Sequence, residues 1–373
     1  MEESIIKNNR IKNNPTVLDL FCGCGGLSLG FKNAGYNILL GANLDEVALK
    51  TFKHNCEDVN ILNVDLSKKE AVQSLLGYID DTVNVIIAGP PCQGFSLTGK
   101  RNLKDYRNVL YLAVVKAVQI FNPEAFVIEN VPGIATLYKG KIKEQIKNSF
   151  QDLGYNVAVS DKPLLAADYG VPQMRKRVFF VGLKKNTFSF PKPIHTPENY
   201  ITCGEAISDL PSRENELGNE RDNYITPPQS NYQKNMRKNS NILFNHVATK
   251  HTKMVKETIA QVPEGGNHKD LPPGVGESRK FNEAWTRYHR NKPSRTIDTG
   301  HRNHFHYVYN RVPTVRENAR LQSFPDDFVF LGSRTQQYKQ VGNAVPPLLA
   351  FNIACKLKKY LTKDLTSGEH NEP

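Results

Sequence analysis

The segment Gly89-Pro90-Pro91-Cys92-Gln93-Gly94-Phe95-Ser96 follows an apolar run at 83–88 and sets a cysteine on a rigid turn at the end of a strand. A thiolate in such a place is a strong nucleophile. A lone cysteine more often serves as a small buried hydrophobe. Two prolines on one side of Cys92 and polar and glycine residues on the other favour exposure. Glu129-Asn130-Val131 closes a second apolar run, 125–128, and brings a carboxylate to the same strand edge. Gln173-Met174-Arg175-Lys176-Arg177 leads into a third and offers two arginines at the period of a strand face. Alone, that segment reads as a pair of solvated charges. Taken with Cys92 and Glu129, Arg175 and Arg177 suit a polar, planar base.

Phe21-Cys22-Gly23-Cys24-Gly25-Gly26 ends an apolar strand and opens a helix, so its glycines let backbone approach a ligand such as a nucleoside cofactor. As a dinucleotide fingerprint it fails at the third glycine, where Ser28 stands. Cys22 and Cys24, one residue apart and without a second pair, are read as small residues packed under the turn, not as a zinc clip. No metal is expected. His301, His304 and His306 have no cysteines beside them and read as phosphate contacts or packing.

These residues need a frame to hold them. Across the first 190 residues, short apolar runs at 16–21, 37–42, 83–88, 125–129 and 177–183 alternate with helical patterns at 25–34, 46–54 and 107–121, which predicts an α/β domain with a parallel sheet. From 190 to 293 the texture turns rich in Pro, Asn, Gly and Ser, with a periodic piece at 249–261, and predicts a second, loop-rich domain. Helical pattern returns at 315–322 and 346–361.

The chain has 373 residues, 39% hydrophobic and 23% charged, the composition of a folded globular protein of more than one domain. Six scattered cysteines do not make a disulfide framework, and the polar start lacks a signal peptide's apolar core, so a cytoplasmic location is expected. The formal charge is +12, and 14 Lys+Arg against six acids fall between 225 and 310, with seven of the ten histidines and several tyrosines. Such a stretch suits phosphate contact and base stacking, although a solvated basic surface has the same composition.

DLFCGCGGLSLGF (19–31), GPPCQGFS (89–96), ENV (129–131), YGVPQMRKRVFFVG (169–182), RENARLQSFPD (316–326) and QVGNAVPP (340–347), in that order, together resemble the DNA (cytosine-5) methyltransferase family of the prokaryotic restriction-modification type. The resemblance implies a Rossmann-like S-adenosylmethionine-dependent catalytic domain at 1–189 and 311–373, interrupted at 190–310 by a smaller loop-rich target-recognition domain. It implies that a cytosine swings out of double-stranded DNA, because its ring carbons are inaccessible within the stack. By the same resemblance, Cys92 attacks carbon 6, Glu129 binds ring nitrogen 3 and the exocyclic amine, and Arg175 and Arg177 hold the base oxygen and the surroundings of the sulfur.

For S-adenosyl-L-methionine the resemblance points to Phe21, Gly23, Cys24, Gly26, Asn43, Leu44, Asp45, Asp65, Leu66, Pro91, Leu110, Asn343 and Ala344. Asn43 stands where the family usually has an acidic residue for the ribose hydroxyls, and Asp45 is the alternative carrier. Gln93, Ser96, Arg287 and Arg295 are expected at DNA. Asn291 to Ile297 resembles the motif that organises the recognition domain. A monomer is expected, with a cognate restriction endonuclease as genetic partner only. A transfer-RNA substrate, a non-catalytic DNA-binding regulator and a nicotinamide oxidoreductase are the weaker readings. The long recognition segment argues against the first, the intact Cys92, Glu129, Arg175 and Arg177 against the second, and the glycine pattern against the third.

Overall fold

Every apolar run expected as a strand is one. The computed structural model describes residues 14–91, 110–277, 283–300 and 303–361. The chain runs through β1 (Thr16–Leu20), β2 (Asn37–Asn43), β3 (Asn60–Asn63), β4 (Val85–Ala88), β5 (Ala125–Asn130), β6 (Asn156–Val159), β7 (Leu164–Leu165) and β8 (Lys176–Leu183). β1 and β4 are buried along their whole length, so β4 is an unbroken apolar run and β1 is apolar except at Thr16 and Asp19. β3 and β6 carry half-exposed side chains and little apolar pattern, so the sequence did not announce them.

The sheet order is β3-β2-β1-β4-β5-β8-β6, with β7 paired to β8. β1 to β5 are mutually parallel, whereas β8 is antiparallel to both β5 and β6. The expectation of a parallel sheet therefore holds for five strands and fails at β8, a strand whose apolar run alone carries no information on direction. Successive strands run outward one way from β1 and then the other way through β4, so the order reverses at the carboxyl ends of β1 and β4. In an open α/β sheet that is where a ligand crevice forms.

Two compact units emerge, one comprising residues up to 164, 176–192 and from 347 on, the other 165–175 and 193–346. In the first, α1 (Gly26–Asn33), α2 (Glu46–Asn55), α3 (Leu110–Phe121) and α4 (Lys141–Gln151) accompany the sheet. The C-terminal helix, Pro347–Leu361, crosses α1 at Gly30, where a Cβ would lie 2.4 Å from that of Ala350. The core joins Leu18, Leu20, Leu40, Ile86, Phe126 and Phe180 of the sheet with Val114 and Val118 of α3 and Phe150 of α4.

The second unit holds α5 (Lys253–Ala260), α6 (Val315–Leu321) and α7 (Arg334–Asn343), with the strand pairs β9 (Arg221–Asn223) with β10 (Ile242–Phe244) and β11 (Thr286–Arg287) with β12 (His304–Phe305). Its interior is charged. Arg320 is fully buried and donates to both Asp209 and Asp326, and Arg311 makes a two-pronged pair with Glu317 at 2.7 Å on each arm. Arg316 donates to the carbonyls of Phe244, Pro325 and Phe328. Through these arginines, residues 311–346 pack in the second unit, whereas the family resemblance implies a return to the catalytic domain at 311. Apolar periodicity is blind to a helix that buries guanidinium groups.

Candidate active site

The carboxyl ends of β1, β4 and β5 lie side by side. Gly89 N–H donates to the Leu20 carbonyl at 3.3 Å, and a Cβ on Gly89 would stand 3.7 Å from Oε2 of Glu129. The turn that leads to Cys92 thus starts beside the Glu129 carboxylate, with Pro91 exposed. Cys92, Gln93 and Ser96 lie outside the described residues.

Glu129 opposes Phe179 in the β5–β8 ladder, and Arg177, two residues before Phe179 on β8, turns its guanidinium onto the carboxylate, Nε to Oε1 at 2.6 Å. Both side chains are only slightly exposed, 12% and 13%, which is the condition under which such a pair is weakly screened by solvent. One carboxylate oxygen is held by Arg177 while the other faces Gly89. A carboxylate fixed in this way can accept from N–H groups of a planar ligand without rotating.

Arg175 and Arg177 do not share a face, contrary to the expectation. β8 begins at Lys176, so strand alternation does not extend to Arg175. Arg175 belongs to the second unit, is 1% exposed, and donates through Nη2 to the Gly342 carbonyl at 3.0 Å.

The glycine turn after β1 shows how a nucleoside cofactor would fit. Phe21, Gly23 and Gly25 have positive φ (60°, 55° and 93°), and the missing Cβ of Gly23 would enter open space. Gly25 admits no side chain, because its Cβ would lie 2.7 Å from the Phe52 ring. Gly26 begins α1, and Ser28 of that helix donates to Asp19 of β1 at 2.6 Å. Asp19 is wholly buried, its Oδ1 has no hydrogen-bond partner among the described residues, and burial pushes its carboxyl up to about 7. Sequence reasoning treated Ser28 only as a departure from a dinucleotide motif; its function is to clamp the strand to the helix behind the turn. Cys22 and Cys24 are buried beneath the turn, and desolvation raises both thiols, Cys24 to about 12.

The other cofactor candidates follow the edge of the sheet. Asn43 ends β2 and Leu44 is 65% exposed. Asp45 caps α2, its Oδ1 accepting from the Val47 and Ala48 N–H groups. Asp65, after β3, accepts from Ser67 through both its N–H and hydroxyl, which holds its carboxyl below the usual range. Leu66 and Leu110 are buried. In the second unit Asn343 is the exposed last residue of α7 and Ala344 follows it as C-cap.

Arg287, expected at DNA, is instead buried. Its guanidinium donates to the carbonyls of Ile259 and Val308 and to Asn310 Oδ1, which binds α5 to the β11–β12 region. Arg295 is half exposed and pairs with Glu283 at 3.4 Å. His304 and His306 are buried packing residues; His306 stacks between Tyr307 and Tyr309. His301 lies outside the described residues. Among the described residues no helix is long and apolar enough to cross a membrane.

Residues 15–359 match the family model of the C-5 cytosine-specific DNA methylases. The chain is 39% identical to the type II methyltransferase M.DdeI of Desulfomicrobium norvegicum, over 92% of this chain and 88% of that protein. It is 41% identical to the type II methyltransferase M1.HphI of Haemophilus parahaemolyticus, over 94% and 88%. Among solved structures it resembles an E. coli protein described as a DNA modification methyltransferase encoded within a prophage, with a TM-score of 0.77 and 28% identity over 94% of this chain and all of that one.

Proposed function

Because the chain belongs to the C-5 cytosine-specific DNA methylase family and has that family's activity, methyl transfer to carbon 5 of cytosine in DNA, we propose that its own residues divide the reaction as follows. Carbon 5 of cytosine is too weak a nucleophile to be methylated directly. The Cys92 thiolate adds to carbon 6, and the electron pair displaced from the 5,6 double bond makes carbon 5 nucleophilic. Glu129, aimed by Arg177, accepts from the exocyclic amine and delivers a proton to ring nitrogen 3, which offsets the negative charge that addition pushes into the ring. Arg177, with Arg175, holds the base oxygen and the surroundings of the sulfur. Loss of the carbon 5 proton to a base and expulsion of Cys92 then restore the aromatic ring.

S-adenosylmethionine, held by Phe21, Gly23, Gly26, Asn43, Asp65, Leu110, Asn343 and Ala344, supplies the electrophilic methyl group when bound. The open space at Gly23, the exposed Leu44 and Asn343, and the reversal of strand order at β1 support that fit. Gln93, Ser96 and the half-exposed Arg295 contact DNA. The enzyme acts as a monomer in the cytoplasm on its host's double-stranded DNA, and the type II naming of its relatives supports a cognate restriction endonuclease beside it.

The observation that carries the mechanism is the Glu129–Arg177 pair beside Gly89, three residues before Cys92. Tritiated S-adenosylmethionine with mixed-sequence duplex DNA tests it. Label is expected in DNA as 5-methylcytosine, absent with Cys92→Ser, and sequencing then maps the target. Label in transfer RNA alone, or an unimpaired Cys92→Ser variant, would overturn the reading.

A further inference from the structure

Four segments distant in sequence converge on two buried amides in the second unit. Gln173 is wholly buried and lies in a parallel bridge with Ser294. Its Oε1 accepts from the Ile297 N–H at 3.1 Å, and its Nε2 donates to the Leu321 carbonyl at 3.1 Å and to Oε1 of Gln322. Gln322, also wholly buried, passes the chain on by donating through Nε2 to the Ala344 carbonyl. Two residues along from Gln173, Arg175 donates to the Gly342 carbonyl. The turn 342–344 is therefore tied twice to the segment 173–175, once directly and once through Gln322.

The polarity of this ring is dictated by its ends. The Leu321 and Ala344 carbonyls only accept and the Ile297 N–H only donates, so each glutamine has a single orientation that satisfies all its partners. Gly342 closes the ring against Asp298, where a Cβ would come 2.3 Å from the carbonyl oxygen. A buried, fully paired network of this kind moves as a unit, because breaking any member strands its neighbour without water.

We infer that Gln173 and Gln322 are positioning residues whose ring couples occupation of the Asn343-Ala344 turn by the cofactor to the placement of Arg175 on the flipped cytosine. The inference rests on the assignments of those residues made above. A ligand that draws the turn toward itself moves the carbonyls of Gly342 and Ala344, and both lead back to the segment that carries Arg175. Coupling of this kind is reciprocal, so it is measurable from either ligand.

The test uses the full chain, S-adenosylhomocysteine as cofactor probe and a duplex carrying the mapped target. Anisotropy gives the DNA Kd with and without the probe. In the wild type the probe is expected to tighten DNA binding at least tenfold. Gln322→Met, close in shape but unable to donate to Ala344, should cut that factor to below three while leaving affinity for the probe alone within threefold. Gln322→Glu, which keeps the acceptor toward Gln173 and presents a carboxylate oxygen to the Ala344 carbonyl, should do the same. Tyr232→Phe, which deletes a buried hydrogen bond to the Arg320 carbonyl in the same unit, should keep the wild-type factor. Wild-type coupling in either folded Gln322 variant, or equal loss in Tyr232→Phe, overturns the inference. A wild type that methylates cytosine yet shows no coupling overturns the inference alone, and one that neither binds the probe nor methylates removes the functional reading with it.

Discussion

Acidification from pH 7.5 to 5 is expected to loosen the second unit by about 4 kcal/mol through two buried histidines. His246 is wholly buried, with one ring nitrogen 2.8 Å from the Pro211 carbonyl and the other 2.8 Å from the Thr314 hydroxyl. The carbonyl only accepts, so Nε2 carries the proton and Nδ1 accepts from Thr314. In His306 the N–H groups of Val308 and Tyr309 both point at Nδ1, which leaves no room for a proton there. Burial pushes His246 down to about 4 and His306 to about 3, although Glu317 nearby works in the opposite direction.

Both values lie below the roughly 6.5 of an unfolded histidine, so the unfolded chain binds more protons in acid. The stabilisation is complete above pH 6.5 and is lost as pH falls toward 4. At pH 5 each ring contributes a loss of about 2 kcal/mol, with a limiting slope of about 2.7 kcal/mol per pH unit for the two together. Against a typical domain stability of about 5–15 kcal/mol this is a large fraction. Trp285 is the sole tryptophan of the chain and is buried in the second unit, so its fluorescence follows that unit through a urea titration. The midpoint should fall steadily between pH 6.5 and 5. A midpoint that stays level over that interval, or a full slope retained in a folded His246→Asn/His306→Phe double variant, would refute the reasoning.

Arg320→Met leaves Asp209 and Asp326 buried without their shared cation and should cost about 3–5 kcal/mol in the same titration, whereas a loss below about 1 kcal/mol would mean those carboxylates find other partners. Gly342→Ala drives a Cβ into the Asp298 carbonyl and should cost about 1–3 kcal/mol in thermal unfolding while weakening S-adenosylhomocysteine binding by calorimetry; unchanged binding would argue against the 342–344 turn as a cofactor wall. Glu129→Gln keeps the shape but not the charge paired to Arg177, and should lower kcat on the order of 10²–10⁴-fold with cofactor affinity retained. A kcat within threefold of wild type would exclude the proposed role of the carboxylate.

Strands β1, β4 and β5 were legible in the sequence because a strand buried on both faces is written mostly in apolar residues, with Thr16 and Asp19 in β1 and Glu129 and Asn130 at the end of β5 as exceptions. The turns that follow them were legible because glycine and proline at a strand end leave few other conformations. From that local chemistry, Cys92, Glu129 and the glycine turn were placed at one sheet edge, and the motif order supplied the reaction. The direction of β8, the packing of residues 311–346 in the second unit, the separate engagements of Arg175 and Arg177, the burial of Arg287 and the ring through Gln173 and Gln322 were decided only by tertiary structure. Each depends on a partner 20 to 170 residues away, as Arg175 depends on the carbonyl of Gly342. Local pattern reports whether a side chain is apolar, and a charged or amide side chain looks solvated until the fold brings it the partner that lets it be buried.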